Sequence, residues 1–270
     1  MSARDTIKTI SILGCGWYGF ALAQKLVKTG YKVQGSTTTA DKLTRFREVG
    51  IMPFEVVFDN YKELYESAFF YCDLLIISIP PKRNTVEAAF YEHKIKKIRE
   101  AVLLHGVKRV LFISSTAVYG DHNTEVTEDT LPQPETASGK AILASENLLK
   151  ENDAFSTTIL RFGGLIGPGR DPARFFSGKK NIPNGKAPVN LIHLNDCIAI
   201  TMAIIEQNAF GHVFNACSSA HPAKMDFYTQ AALKSQLEAP EFVDELTNWK
   251  IVSSKYLESV LNVTATQPGW

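Results

Sequence analysis

Three glycines, Gly14, Gly16 and Gly19, sit in the stretch ILGCGWYGFAL at the spacing G-x-G-x-x-G. A short β-rich run, TISILG, leads into them and a helically spaced run, FALAQKLVKTG, follows. In that context the spacing suits the phosphates of a dinucleotide. Gly14 permits a tight turn, Gly16 lets main chain approach a pyrophosphate, and Gly19 lets the helix pack closely on the strand with its positive end aimed at the phosphates. Trp17 and Tyr18 open the helix, either as packing residues or as a wall for the ligand. The second strand ends in VQGSTTTADKLTR, with no acid from Val33 to Ala40. An acidic residue there would bind ribose hydroxyls and repel a 2′-phosphate. Ser36, Thr37 and Thr38 offer hydroxyls instead, and Lys42 or Arg45 can supply positive charge. The residues therefore favour NADP, with NAD as the alternative.

Further along, ISIPPKR places Ser78, Ile79 and Pro80 at the end of an apolar strand, where ligands bind in open parallel sheets. They are expected beside the adenine ribose and pyrophosphate. Arg170 and Arg174, in PGRDPARFF, lie in an irregular stretch on the expected substrate side, and guanidinium groups suit carboxylate or phosphate. His193 precedes LND, where Asn195 or Asp196 is expected to cap the next helix, so the histidine reads as structural. The cysteines, Cys15, Cys72, Cys197 and Cys217, are scattered and form no CxxC pair, so no metal site is expected. They read as small buried residues in a reducing compartment.

The elements that must position these groups alternate. Strand patterns occur at TISILG, YKVQGS, IMPFEVVF, DLLIISI, KRVLFIS, STTILRF and GHVFNAC. Helical patterns occur at FALAQKLVKTG, at DKLTRFREVG with Asp41 as expected N-cap, over 86–105, and at AILASENLLKEN, DCIAITMAIIEQ, DFYTQAALKSQL and SSKYLESVL. Strands alternating with helices predict an α/β fold with a parallel sheet and right-handed crossovers. After Gly163 regularity declines, and GGLIGPGRDPARFFSGKKNIPNGKAPVN reads mostly as a functional loop. We therefore expect a dinucleotide-binding core over 1–163 and a mixed region over 164–270 that completes it and forms a small substrate-binding lobe.

Composition sets outer limits. The chain has 270 residues, 45% hydrophobic and 21% charged, with a net charge of +1. That balance gives no general attraction to nucleic acid or to an anionic membrane. No apolar run reaches spanning length, and the amino terminus lacks a signal-peptide pattern. A cytoplasmic protein with a small-molecule substrate is the expectation.

Together with the glycine turn, the motif SSTAVYG resembles the extended short-chain dehydrogenase/reductase family in its NAD-dependent epimerase/dehydratase-like branch. RFGGLIGPGR, VNLIHLNDCIAI, HVFNACSS and SSKYLESVLNV are similar to later segments of that family, in the same order. The glycine turn is one residue shorter than the usual Gly-x-x-Gly-x-x-Gly, which points to an atypical member. The resemblance implies a Rossmann-type doubly wound parallel sheet with a small C-terminal lobe. It also implies a homodimer, built by packing two helices from each subunit, as an arrangement to test.

For the chemistry, the resemblance implies a Ser or Thr that orients substrate, a tyrosinate acid/base, and a lysine that lowers the tyrosine pKa and bonds the nicotinamide ribose. Ser115 takes the first place, with Ser114 beside the cofactor and Thr116 beside substrate, and Lys140 takes the last. The tyrosine position falls on Thr136, whose hydroxyl is far less acidic than a phenol. Tyr119 and Glu135 are the conceivable substitutes as acid/base, and a third route has water or Ser115 handle the proton. Phe162 and Gly163 are similar to the segment that contacts the carboxamide. Two functions follow: an NAD(P)-dependent oxidoreductase or epimerase acting on a small polar or nucleotide-linked carbonyl or hydroxyl compound, or a redox or dinucleotide sensor that has lost proton transfer.

Overall fold

The computed structural model describes residues 6–81 and 85–266. The first half contains β1 (Thr9–Leu13), α1 (Trp17–Lys28), β2 (Lys32–Thr37), α2 (Asp41–Glu48), β3 (Met52–Glu55), the short antiparallel pair β4 (Val57–Phe58) and β5 (Glu63–Leu64), and β6 (Leu74–Ile77). Then follow α3 (Thr85–Leu104), β7 (Arg109–Ser115), β8 (Thr124–Val126), α4 (Ala137–Lys150), β9 (Ser156–Phe162), β10 (Gly164–Ile166) and α5 (Ala173–Phe176). The remainder is β11 (Leu191–His193), α6 (Leu194–Glu206), β12 (Val213–Ala216), α7 (Lys224–Lys234), β13 (Lys250–Val252) and α8 (Lys255–Ser259).

Seven strands form one sheet in the order β12-β9-β7-β6-β1-β2-β3, every neighbouring pair parallel. This is the doubly wound Rossmann architecture. Successive residues of a strand point to opposite faces, and both faces are covered. Ile10, Ile12, Leu74, Ile76 and Leu111 pack with α1 and α6. Leu13, Leu75, Ile77, Val110 and Phe112 pack with α3 and α4. Burial on both faces explains why the strands read as continuous apolar runs.

Strand order reverses between β1 and β6, whose carboxyl ends lie side by side with Leu13 opposite Ile77. A doubly wound sheet opens a crevice at such a reversal, and both the glycine turn after β1 and Ser78–Pro80 after β6 sit there.

The later part of the chain is more ordered than its composition suggests. The stretch expected to be loop holds β10 and α5, and β10 pairs in parallel with β11, which follows directly after the stretch. Ile166, Val189, Leu191, Phe227 and Tyr228 form a separate small core. β12 closes one edge of the main sheet, and β13 pairs with β8 from the first half. Some local expectations are corrected. IMPFEVVF splits into β3 and β4. Asp41 lies inside the first turn of α2, which is capped by Ala40. His193 itself caps α6, its Nδ1 accepting from the Asn195 amide at 3.1 Å.

Candidate functional site

The glycine turn is held by its own main chain and by β2. Gly14 has φ +102°, a left-handed value that favours glycine, and a Cβ there would stand 2.7 Å from Ile79 Cγ2 and 2.8 Å from the Ser78 carbonyl oxygen. At Gly19 a Cβ would drive into the Gly14 carbonyl oxygen. Gly16 differs, since nothing lies within 4 Å of where its Cβ would be. The Gly14 amide donates to Ser36 Oγ at 2.8 Å and the Cys15 amide to the Ser36 carbonyl at 3.1 Å. Helix α1 starts here with no side-chain cap and no acid in its first turn. A helix start so arranged favours an anion. Cys15 is buried, and burial pushes its thiol up to about 12, which disfavours the thiolate.

Two cavities meet at this turn, and Gly16, Ser78, Ile79 and Pro80 line both. The smaller, of about 260 Å³, extends towards β2 and is walled by Val56 and Phe58. Its charged lining residues are Lys42 and Lys94, with no carboxylate among the described ones. Ser36, Thr37 and Thr38 all line it, but two of these hydroxyls serve the fold. Ser36 Oγ braces Gly14, and Thr37 Oγ1 accepts from the Thr39 amide at 3.1 Å. Thr38 is exposed at the cavity wall. Sequence reasoning missed Lys94 because nothing in α3 marks which of its lysines reaches the crevice.

The larger cavity, of about 460 Å³, runs from the glycine turn to the ends of β7 and β9. Trp17, Tyr18, Gly19, Ser114, Ser115, Phe162, Gly163 and Arg170 all line it. Tyr18 does so with its ring, which meets Phe162 edge-on at 5.1 Å, while its hydroxyl lies 2.6 Å from Thr201 Oγ1 in the core. Ser115 Oγ accepts from the Ala117 amide at 3.2 Å. Thr116 is buried, and Ala117 lines the cavity in its place. Arg174 is exposed on α5 away from the cavity wall, so of the two arginines only Arg170 reaches it.

The pairing of Thr136 with Lys140 is corrected by the helix they sit on. Thr136 is the N-cap of α4, its Oγ1 accepting from the Gly139 amide at 3.0 Å. Lys140 is exposed and does not line the cavity. Residues one turn apart share a helix face, whereas residues two apart stand about 200° around the axis. The face of α4 that lines the cavity carries Ser138 and Ile142. Gly139 lets this face come close, since a Cβ there would meet the Ala117 carbonyl oxygen. The cavity-lining positions one turn apart on α4 thus hold a serine and an isoleucine. The signal was present in the sequence: Ile142, Ser145, Glu146 and Leu149 make the buried stripe of α4, and Lys140 falls outside it.

Tyr119 does not line the larger cavity. It is buried, its hydroxyl lying 2.9 Å from both the Thr127 carbonyl and Asn215 Oδ1 and accepting from Arg161 Nη1 at 2.7 Å. Burial raises its pKa, against the opposing effect of Arg161. Arg161 in turn grips Glu146, Nε to Oε1 at 2.9 Å and Nη2 to Oε2 at 2.6 Å, and Ser114 Oγ donates to Glu146 Oε1 at 2.5 Å. This buried network fixes the cavity floor. Glu135 is exposed, accepting from the Asp121 amide at 3.2 Å. Tyr91 lines the cavity, but its hydroxyl donates to the Ile79 carbonyl at 2.7 Å and burial drives its pKa far up. Among the described lining residues of the larger cavity, Arg170 is the one charged side chain.

Comparison with known proteins agrees with this architecture. The model of the NAD dependent epimerase/dehydratase family matches residues 10–217. The chain is 38% identical over 250 residues to protein YeeZ of Escherichia coli K12, covering 90% of each. Among solved structures, MoeE5 in complex with UDP-glucuronic acid and NAD superposes with a TM-score of 0.80 at 18% identity, covering 97% of this chain and 94% of that one. UDP-glucuronic acid 4-epimerase from Bacillus cereus in complex with NAD gives a TM-score of 0.78 at 20% identity, covering 96% and 94%. At such identities these structures show the shared fold.

Proposed function

The chain belongs to the NAD-dependent epimerase/dehydratase family, and from that premise we propose that it binds NADP(H) across the glycine turn and works as an oxidoreductase without a tyrosine–lysine proton relay. The adenosine half is assigned to the smaller cavity and the nicotinamide half to the larger. The carrying observation is that Gly16, Ser78, Ile79 and Pro80 line both cavities at the reversal of strand order. Lys42 and Lys94, with Thr38, support a 2′-phosphate in the smaller cavity, where a carboxylate would oppose it. The bare approach at Gly16 and the uncapped start of α1 fit a diphosphate.

A bound dinucleotide supplies or accepts a hydride at the nicotinamide end. There the chain offers Ser115 and Ser138 as hydroxyls that can orient and polarise a carbonyl, and Phe162, Gly163 and Ile142 as walls that limit water. None of these can act as a general acid near neutrality, so water must carry the proton. General acid–base assistance contributes roughly 10²–10⁴-fold, and its lack slows turnover without forbidding it. The substrate class is a small polar or nucleotide-linked carbonyl or hydroxyl compound.

A second reading has its own observation. With Ser138 and Ile142 at the relay positions, the same cleft suits a protein that binds the dinucleotide and reports its level. Calorimetric titration with NADPH and NADH, followed by a substrate screen at the nicotinamide absorbance, separates the two. Slow turnover of any substrate supports the oxidoreductase. Tight binding with no turnover across a broad carbonyl and alcohol panel supports the sensor.

A further inference from the structure

The floor of the larger cavity is buried, since Ser114, Glu146 and Arg161 bond to one another there. Two segments far apart in sequence also line it. Gly16, Trp17 and Gly19 belong to the glycine turn and the start of α1, and Gly163, Leu165 and Arg170 to the stretch around β10. A hydrogen bond joins these two sides: Trp17 Nε1 donates to the Pro168 carbonyl at 2.6 Å. That bond is exposed, so it lies at the mouth of the cavity and not on its floor.

The acceptor is carried by a closed turn between β10 and α5. The Arg170 amide donates to the Gly167 carbonyl at 2.8 Å and the Gly167 amide to the Arg170 carbonyl at 3.2 Å. Gly169 inside it has φ +76°, a left-handed value suited to glycine. The Arg170 guanidinium carbon stands 4.5 Å from the Trp17 ring centroid, so the turn meets the indole at its ring as well as at its N–H. Pro168 and Gly169 are exposed, and the turn can leave Trp17 without unpacking the core. The net worth of one exposed hydrogen bond is small, which suits a contact that opens and recloses.

Gly16 lines both cavities, and at the very next residue the crevice is bridged. We propose that Trp17 is a positioning residue that clasps the 167–170 turn over the crevice, and that this clasp must open for the nicotinamide half of the dinucleotide to enter or leave. The inference rests on the dinucleotide reading above. The adenosine half, assigned to the smaller cavity, lies on the other side of Gly16 and is not enclosed. Loss of such a clasp lowers the barrier to entry and to exit alike, so it changes exchange rates and not equilibrium affinity.

The test is surface plasmon resonance on the full chain, wild type, Trp17→Phe and Pro168→Gly, with NADPH and with 2′,5′-ADP, which carries only the adenosine half. Trp17→Phe keeps an aromatic ring and removes the donor, and Pro168→Gly frees the exposed backbone that carries the acceptor. Both variants should bind and release NADPH about 3- to 10-fold faster, as expected when one hydrogen bond no longer has to break. The NADPH Kd should stay within about threefold, and both rates for 2′,5′-ADP within about twofold. General loosening of the fold would not separate the two ligands. NADPH rates within about twofold of wild type in normally melting variants overturn the proposal. Equal acceleration of 2′,5′-ADP also overturns it, as does weaker NADPH binding with an unchanged association rate, which makes Trp17 a direct contact. If wild type binds neither ligand, the cofactor reading itself fails and the clasp falls with it, a result seen in wild type and not in the variants.

Discussion

Ser138 and Ile142 stand one turn apart on the face of α4 that lines the larger cavity, while Lys140 between them is exposed. With the nicotinamide half in the larger cavity as proposed, that relationship decides which residues can touch it. Lys140→Ala should leave cofactor affinity and any turnover within about twofold. The double substitution Ser138→Tyr with Ile142→Lys rebuilds a phenol and an ammonium one turn apart. It should raise turnover by roughly 10²-fold or more if proton transfer limits the rate. Single-turnover absorbance measurements check both, and a large loss in Lys140→Ala would restore the other register.

Lys42 and Lys94 bring two positive charges to the smaller cavity. Replacing either with Ala should weaken NADPH by about tenfold, as expected for loss of one phosphate contact. NADH, which lacks the 2′-phosphate, should change little. Parallel titrations with the two cofactors read this directly. Equal loss for both would show that the lysines serve the adenosine or the fold, not the phosphate.

The pair of Glu146 and Arg161 is buried, at 0% and 3% exposure. Removing one member leaves a charge in the core without its partner, which typically costs about 3–5 kcal/mol. Burial lowers the Arg161 pKa, but the bidentate contact with Glu146 outweighs it and the net shift is upward. Glu146→Ala should therefore lower the urea midpoint strongly, and Tyr119→Phe should do so less, with cofactor affinity kept in folded Tyr119→Phe. A Glu146→Ala variant as stable as wild type would contradict the role given to this network.

Glu128 responds to pH in the opposite sense to a surface acid. Its Oε1 accepts from the Asn215 amide at 3.0 Å and the Tyr256 amide at 3.2 Å, while Oε2 is buried without a partner among the described residues. Burial is the main cause that raises its pKa above the ordinary 4.5, with Asp129 adding to it. The folded state then holds the proton more tightly than the unfolded one. Its contribution to stability is full below the ordinary value and is lost as pH rises through the raised one. Glu128→Gln should melt at or above wild type at neutral pH, and the difference should shrink as pH falls towards 4.5. Thermal melts across that range check the sign. A wild type that gains on the variant as pH rises would refute it.

The sheet was legible in the sequence because strands buried on both faces leave continuous apolar runs such as DLLIISI. The glycine turn was legible because only glycine fits where Gly14 meets Ile79 and Gly19 meets the Gly14 carbonyl. What misled at α4 was a motif read without its helix: Thr136 and Lys140 have the right spacing, but the buried stripe runs through Ile142 and Leu149. The roles of Ser36 and Tyr119 were illegible for another reason. Both contact groups far away in sequence, at Gly14 and at Arg161 and Asn215. The order within the stretch expected as loop depends on Ile166 and Val189 packing with Leu191 of β11 and with Phe227 and Tyr228 of α7, which local composition does not encode.

Gly16 offers the most direct test of the account. Its backbone has φ −80°, and nothing lies within 4 Å of an added Cβ, so Gly16→Asp should fold and melt as wild type while placing a carboxylate where the diphosphate is assigned. Calorimetric titration with NADPH should show saturable one-to-one binding to wild type and a loss of about 100-fold or more in Gly16→Asp. Binding of NADPH to Gly16→Asp as tight as to wild type would contradict the account, as would a wild type that binds none of the nicotinamide dinucleotides.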